Sequence, residues 1–275
     1  GNTIFGYLAG NAITSGHNNV VMGNNALLNS QDIGFAVAIG NSAMSSGTMT
    51  SSADGTVAIG TSALTNLSSG ERNTAVGFES LKSNTIGDKN TAVGFQALES
   101  FNADTDADGN NTAIGHNAMQ GNTTGIYNTV VGSNSGLNST NGGINMTSGD
   151  SNTFLGANIS GSSVTPNNQT VIGYNAVGLA DNSVTIGNSS VTNVYIAPGN
   201  STAQNITFRD TADSGRIQYD HSDDSMKFQV ASVINARVYN GSFQPGADDT
   251  QDLGTASRAW KTLYVKDGVN FPDDA

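Results

Sequence analysis

Apolar β-branched residues recur along most of this chain in a short block that ends in glycine. The block has the form x-[AV]-[IV]-Gly, and its glycines are Gly6, Gly23, Gly40, Gly60, Gly77, Gly94, Gly115, Gly132, Gly156, Gly173 and Gly187. Successive differences in residue number are 17, 17, 20, 17, 17, 21, 17, 24, 17 and 14. A near-constant period of this kind marks a repeat architecture in which one small unit is copied and stacked. The cleanest units are Asn73–Leu81 (Asn-Thr-Ala-Val-Gly-Phe-Glu-Ser-Leu) and Asn90–Leu98 (Asn-Thr-Ala-Val-Gly-Phe-Gln-Ala-Leu), separated by polar turn residues such as Ser83–Asp88.

A unit this short cannot hold a strand plus a crossover helix. No stretch carries a useful 3.6-residue apolar period. The unit fits one coil of a parallel β-solenoid with two short strands, the second ending at the Ala-Leu run. Alternation places Val76, Leu81, Val93 and Leu98 inward and Thr74 and Thr91 nearer the surface. A single coil cannot bury its apolar residues, so stability comes from stacking. The repeat glycine supplies a positive φ at the turn or admits the close approach of a neighbouring backbone. The asparagine before the strand (Asn73, Asn90, Asn111, Asn128, Asn152) suits a left-handed turn and can also bond along a ladder of identical residues.

The period stops after Gly187, and Pro198-Gly199 closes the array, giving a solenoid over residues 1–198 and a different region over 199–275. There, short strand candidates at 205–209, 216–219, 226–230, 235–239, 258–265 and 269–271 alternate with Asp- and Gly-rich turns, a pattern predicting a small antiparallel β meander. The expected fold class is therefore all-β.

Charge narrows the partners. The net charge is −12, and residues 1–200 hold three basic against eleven acidic residues. Phosphate recognition needs clustered Lys and Arg, so nucleic acid and anionic membrane surfaces are disfavoured. No apolar run is long enough to span a bilayer as a helix, so no membrane insertion is expected. The chain has no cysteine, which removes disulfides and thiolate metal sites. It begins at Gly1 inside a repeat and reads as a piece of something longer.

Two resemblances follow from these residues. The repeat units, with the late Asn182-Ser183-Val184-Thr185-Ile186-Gly187-Asn188, are similar to the head repeats of trimeric autotransporter adhesins, over about residues 1–190. The resemblance implies a left-handed parallel β-roll in which three chains pack side by side. Most glycine gaps here are 17, however, and only the last is the 14 of that family's pattern. Second, Asp252-Leu253-Gly254 with Trp260, Leu263 and Tyr264 resembles a segment near the C-terminus of bacteriophage tail fibres, where a self-cleaving chaperone domain often follows. Together they imply an extracellular homotrimeric fibre segment of a virion, with other virion proteins and a host cell-surface glycan or protein as partners. An adhesin head is the alternative, and a glycan-cleaving tailspike a weaker one.

Candidate chemistry is sparse. Asp104, Asp106 and Asp108 precede Gly109 at alternate positions, as at the start of an EF-hand loop, and are the candidate calcium ligands. The twelfth loop position is Gly115 rather than Glu, and a solvated acidic loop is the other reading. His17, His116 and His221 have no metal-ligand spacing, and His116 fills the slot after the glycine where Phe78, Phe95 and Tyr174 occur elsewhere. Those aromatics stack on sugar rings or pack between chains. Glu71, Glu79, Asp88 and Glu99 sit at coil edges, with little cleft for paired-carboxylate catalysis. No catalytic residue is assigned, and the chain is expected not to be an enzyme.

Overall fold

The computed structural model describes residues 1–47, 49, 51–105, 109–137, 145–194, 203–209, 214–220, 225–230, 233–239 and 242–245. They form two compact units, Gly1–Thr192 and Asn193–Ala275. Among the described residues there is no α-helix, and one 3-10 turn occurs at Ser51–Ala53.

The first unit is a parallel β-solenoid. Each coil contributes one strand: β1 (Thr3–Phe5), β2 (Val20–Met22), β3 (Val37–Ile39), β4 (Val57–Ile59), β5 (Thr74–Val76), β6 (Thr91–Val93), β7 (Thr112–Ile114), β8 (Thr129–Val131), β9 (Thr153–Leu155), β10 (Gln169–Ile172) and β11 (Ser183–Ile186). They pair in chain order as one 11-stranded sheet. The register repeats the sequence period: Thr74 lies beside Thr91, Ala75 beside Ala92 and Val76 beside Val93.

In this sheet the middle residue of the strand points inward. Ala38, Ala58, Ala75, Ala92 and Ala113 are fully buried, whereas Val76 and Val93 are half-buried on the outer side. The expectation that Val76 and Val93 face inward is thus corrected, while Leu81 and Leu98 are buried as expected. The reason is width. The coil interior is filled from the opposite side by Leu64, Leu81, Leu98, Phe101 and Met119, which favours small residues on the strand. Thr74 and Thr91 lie on the same outer side as Val76 and Val93, also half-buried.

The second run of each coil is a turn rather than a strand. Glu79 (φ 54°) and Leu81 (φ 49°), like Gln96 (φ 52°) and Leu98 (φ 51°), adopt the left-handed conformation at every second residue, which breaks the pleat. These segments still stack through single backbone bonds, with Leu64 N–H donating to the Ser80 carbonyl (3.0 Å) and Leu81 N–H to that of Ala97 (3.0 Å).

Both proposed roles of the repeat glycine are met. From Gly6 to Gly173 its φ lies between 125° and 143°, a region side chains rarely enter. A Cβ on Gly115 would also come within 2.6 Å of the Gly132 carbonyl oxygen. The asparagines form the expected ladder and are fully buried at Asn73, Asn90, Asn111 and Asn128. Asn90 Oδ1 accepts from the Asn111 backbone N–H (3.1 Å) and Asn111 Nδ2 (3.2 Å), and Asn111 Oδ1 accepts likewise from Asn128 (3.0 and 3.2 Å). Each buried amide is thereby paired, which avoids the cost of an orphaned polar group. The left-handed residue is the one before the ladder, such as Arg72, Lys89, Asn110 or Tyr127, rather than the asparagine itself.

The second unit contains a five-stranded antiparallel meander: β12 (Ala203–Arg209), β13 (Ser214–Asp220), β14 (Ser225–Val230), β15 (Val233–Tyr239) and β16 (Ser242–Pro245). Four of these overlap the expected strands, and β16 is additional to them. The candidates at 258–265 and 269–271 lie outside the described residues.

Candidate functional site

The strand side and the turn side of each coil differ in chemistry. The block from the ladder position to the fourth residue after the glycine, as in Asn73–Leu81, Asn90–Leu98 and Asn111–Met119, keeps one length in every coil. The three longest glycine gaps, which end at Gly60, Gly115 and Gly156, take their extra residues in the remaining stretch, on the turn side.

The outer face of the sheet is uncharged throughout. Its first outward positions are Thr or Val from β1 to β10, and its second outward positions are all apolar, from Phe5 and Met22 through Ile59, Ile114 and Leu155 to Ile186. Phe5, Met22, Ile59, Ile114, Leu155 and Ile186 are exposed. Neither outward position carries a charged residue in any of the eleven strands, in a chain of net charge −12. At about 4.8 Å per strand the stripe is about 50 Å long. Including the residue after the glycine it is about 13 Å wide, or about 650 Å² in projection.

One rim of this stripe is the column that follows the glycine. Phe78 stacks on Phe95 (5.1 Å between centroids, 10° between planes), and Phe95 stacks on His116 (5.1 Å, 9°). The faces of Phe95 are therefore occupied by its neighbours, leaving ring edges outward, and a sugar ring could not stack there without displacing them. His17 meets Phe35 edge-on at 5.2 Å. These two histidines hold ring contacts, and His221 lies outside the described residues.

Charge is confined to the turn side. Glu79 Oε1 accepts from Lys82 Nζ (2.7 Å), Glu79 Oε2 from Gln96 Nε2 (2.8 Å), and Gln120 Nε2 donates to Gln96 Oε1 (2.9 Å) and Glu99 Oε2 (2.7 Å). The Lys82 hydrogen bond, with that of Gln96, holds the Glu79 carboxyl below its ordinary value, and the same bond raises Lys82. Arg72 and Lys89 both lie beside Glu71 (3.2 and 3.7 Å), and Lys89 also beside Asp88 (3.8 Å). At the corner before the ladder, carboxylates cap backbone of the preceding coil: Asp88 Oδ1 accepts from Glu71 N–H (2.9 Å) and Asp150 Oδ1 from Ile126 N–H (2.9 Å). Asp181 does the same for Asn167 N–H (2.9 Å), and that bond, with one from Gln169, lowers its pKa.

Glu71, Glu79, Asp88 and Glu99 are thus engaged in ion pairs, side-chain bonds and backbone caps. Asp104 is exposed on the turn side, and Asp106 and Asp108 lie outside the described residues. Among the described residues no group of three or more His, Cys, Asp or Glu could hold a metal ion. No helix among them is long and apolar enough to cross a membrane. Sequence reasoning missed the outer stripe because it turned Val76 and Val93 inward. The signal that could have found it is the mismatch between a small middle residue and a larger third one.

Comparison with protein-family models, with curated proteins and with solved structures gives no match.

Proposed function

We propose that this chain is a structural fibre segment of a phage or phage-like particle. It works as a homotrimer at attachment to a host surface. The observation that carries the reading is the outer face of β1–β11: uncharged, apolar at every second outward position and free of insertions over its whole length. Stable interfaces bury about 800 Å² per partner, close to the size of this stripe. Its rows repeat at the inter-coil spacing, so the covering surface must repeat at that spacing too. A parallel copy of the same array, level coil for coil, meets that condition. Rotation about an axis along the solenoid generates a closed ring of such copies. The turn side then faces outward, where its length changes and charges offer contacts to a host glycan or protein. Weak contacts multiplied over chains and fibres give avidity.

The adhesin-head reading rests on the repeat units themselves and on the step from β10 to β11, where the gap between Gly173 and Gly187 is the shortest in the array. Both readings require a trimer. Light scattering on the whole chain is expected to give three times the mass of one chain, and a monomer would overturn both. Val93→Lys with Ile114→Lys is expected to yield monomers that keep their β circular dichroism. Antibody labelling of intact virions separates the two readings, since an adhesin head would label the bacterial surface instead.

A further inference from the structure

In the meander of the second unit, β14 has its faces reversed relative to a strand of a sheet that is complete on its own. Successive residues of a strand point to opposite faces. On β14, Ser225 and Lys227 are buried (0 % and 8 % exposed), while Met226 and Phe228 are exposed (43 % and 37 %). The polar face of this strand is covered, and the apolar one is open. The register places further apolar residues in the same rows. Met226 pairs with Tyr219 on one side and with Val238 on the other, and Val238 pairs with Phe243. Phe228 pairs with Ile217 and Ala236, and Ile217 pairs with Ile206. Val238 is also exposed. These rows contain no charged residue.

We infer that the face of the meander that carries Met226, Phe228 and Val238 is a second self-association surface, covered by the same face of other copies of this chain. Three arguments select that occupant. Strands of four to seven residues present about 500 Å² on one face, so two such faces bury about 1,000 Å², which reaches the size expected of a specific interface. The absence of charge in the rows speaks against a nucleic acid or an acidic ligand. Copies already held together through the solenoid raise the effective concentration of the tethered sheets, so a modest patch suffices. The third argument rests on the homotrimer reading above, and the test is chosen to separate the two.

The chain lacks cysteine, so single thiols report cleanly. Phe228→Cys, Val238→Cys and, on the covered face, Lys227→Cys are made in the whole chain and treated with a short bis-maleimide, with light scattering on the same samples. The expected result is a trimer in which Phe228→Cys and Val238→Cys link most chains in pairs and Lys227→Cys does not. A trimer in which the thiols of the Phe228→Cys and Val238→Cys variants react singly without linking overturns this inference and leaves the trimer standing. A monomer that nonetheless links through these two positions, increasingly with concentration, supports the face and overturns the solenoid trimer. A monomer with no linking overturns both.

Discussion

The strand side and the turn side of the same coil obey different rules. On the strand side every residue is fixed by a neighbour one coil away or across the coil: the glycine by a carbonyl, the asparagine by an amide, the small inner residue by the leucine opposite. Nothing there changes length, and the outward positions of its strands carry no charge. On the turn side, buried leucines fill the interior, but the outer contacts are single backbone bonds, side-chain bonds and ion pairs, and three coils accept extra residues. Constraint and variability are thus separated within a single coil. An attachment fibre needs such a division between what holds the shaft and what meets the outside.

The separation can be broken most severely at a glycine. Gly94 has φ 142°, and a Cβ there would collide with the Gly115 carbonyl. Gly94→Ala combines a strained conformation with a steric clash, so a loss of about 3 kcal/mol or more is expected in urea unfolding. A change no larger than that of an ordinary surface substitution would show that the glycine column is not tightly held.

The ladder gives the next effect. Asn111→Ala removes the acceptor of Asn128 N–H and Nδ2 and the side-chain donor to the Asn90 side-chain and Gly125 carbonyl oxygens, at about 1–3 kcal/mol for each buried group left unpaired. Asn111→Asp sets a buried carboxylate against the same two carbonyl oxygens and should melt no higher than alanine at neutral pH. Equal melting of all three would remove the ladder as a source of stability.

The turn side should respond least. Glu79→Gln breaks one ion pair with Lys82, and such surface pairs contribute below about 1 kcal/mol. The sign follows from the depressed Glu79 pKa. The stability it contributes is fully present above the ordinary carboxylate range and is lost as pH falls through the lowered value. The gap between wild type and Glu79→Gln should therefore be widest near neutral pH and close in acid. A gap that widens on acidification would reverse the assignment.

These contrasts also explain what the sequence could reveal. Period, parallel stacking and the asparagine ladder were legible because they rest on residue types with few other uses: a glycine at constant spacing, an amide before a β-branched run. The inward residue was not. Size suggested Val76, whereas the space left by Leu81 and Phe101 favours Ala75. The second strand escaped for a related reason. Leu81 and Glu79 do not advertise a positive φ, because the stacked hydrogen bonds, rather than their own preferences, hold them there. The outer stripe became visible only once the inward position was known, and β16 is a four-residue run ending in Pro245, which reads against a strand although turn residues flank it.

The constant block has one more consequence, for size. Each coil touches only the coil before and the coil after, and those from Asn73 to Asn152 repeat the same kind of glycine, amide and inner apolar residue. A whole unit such as 77–93 could be excised, joining Val76 to Gly94, and the new neighbours would meet through contacts of the kind already described. The number of coils therefore acts as a ruler. Reach changes in steps of about 4.8 Å, and it does so without redesign of any surface along the shaft.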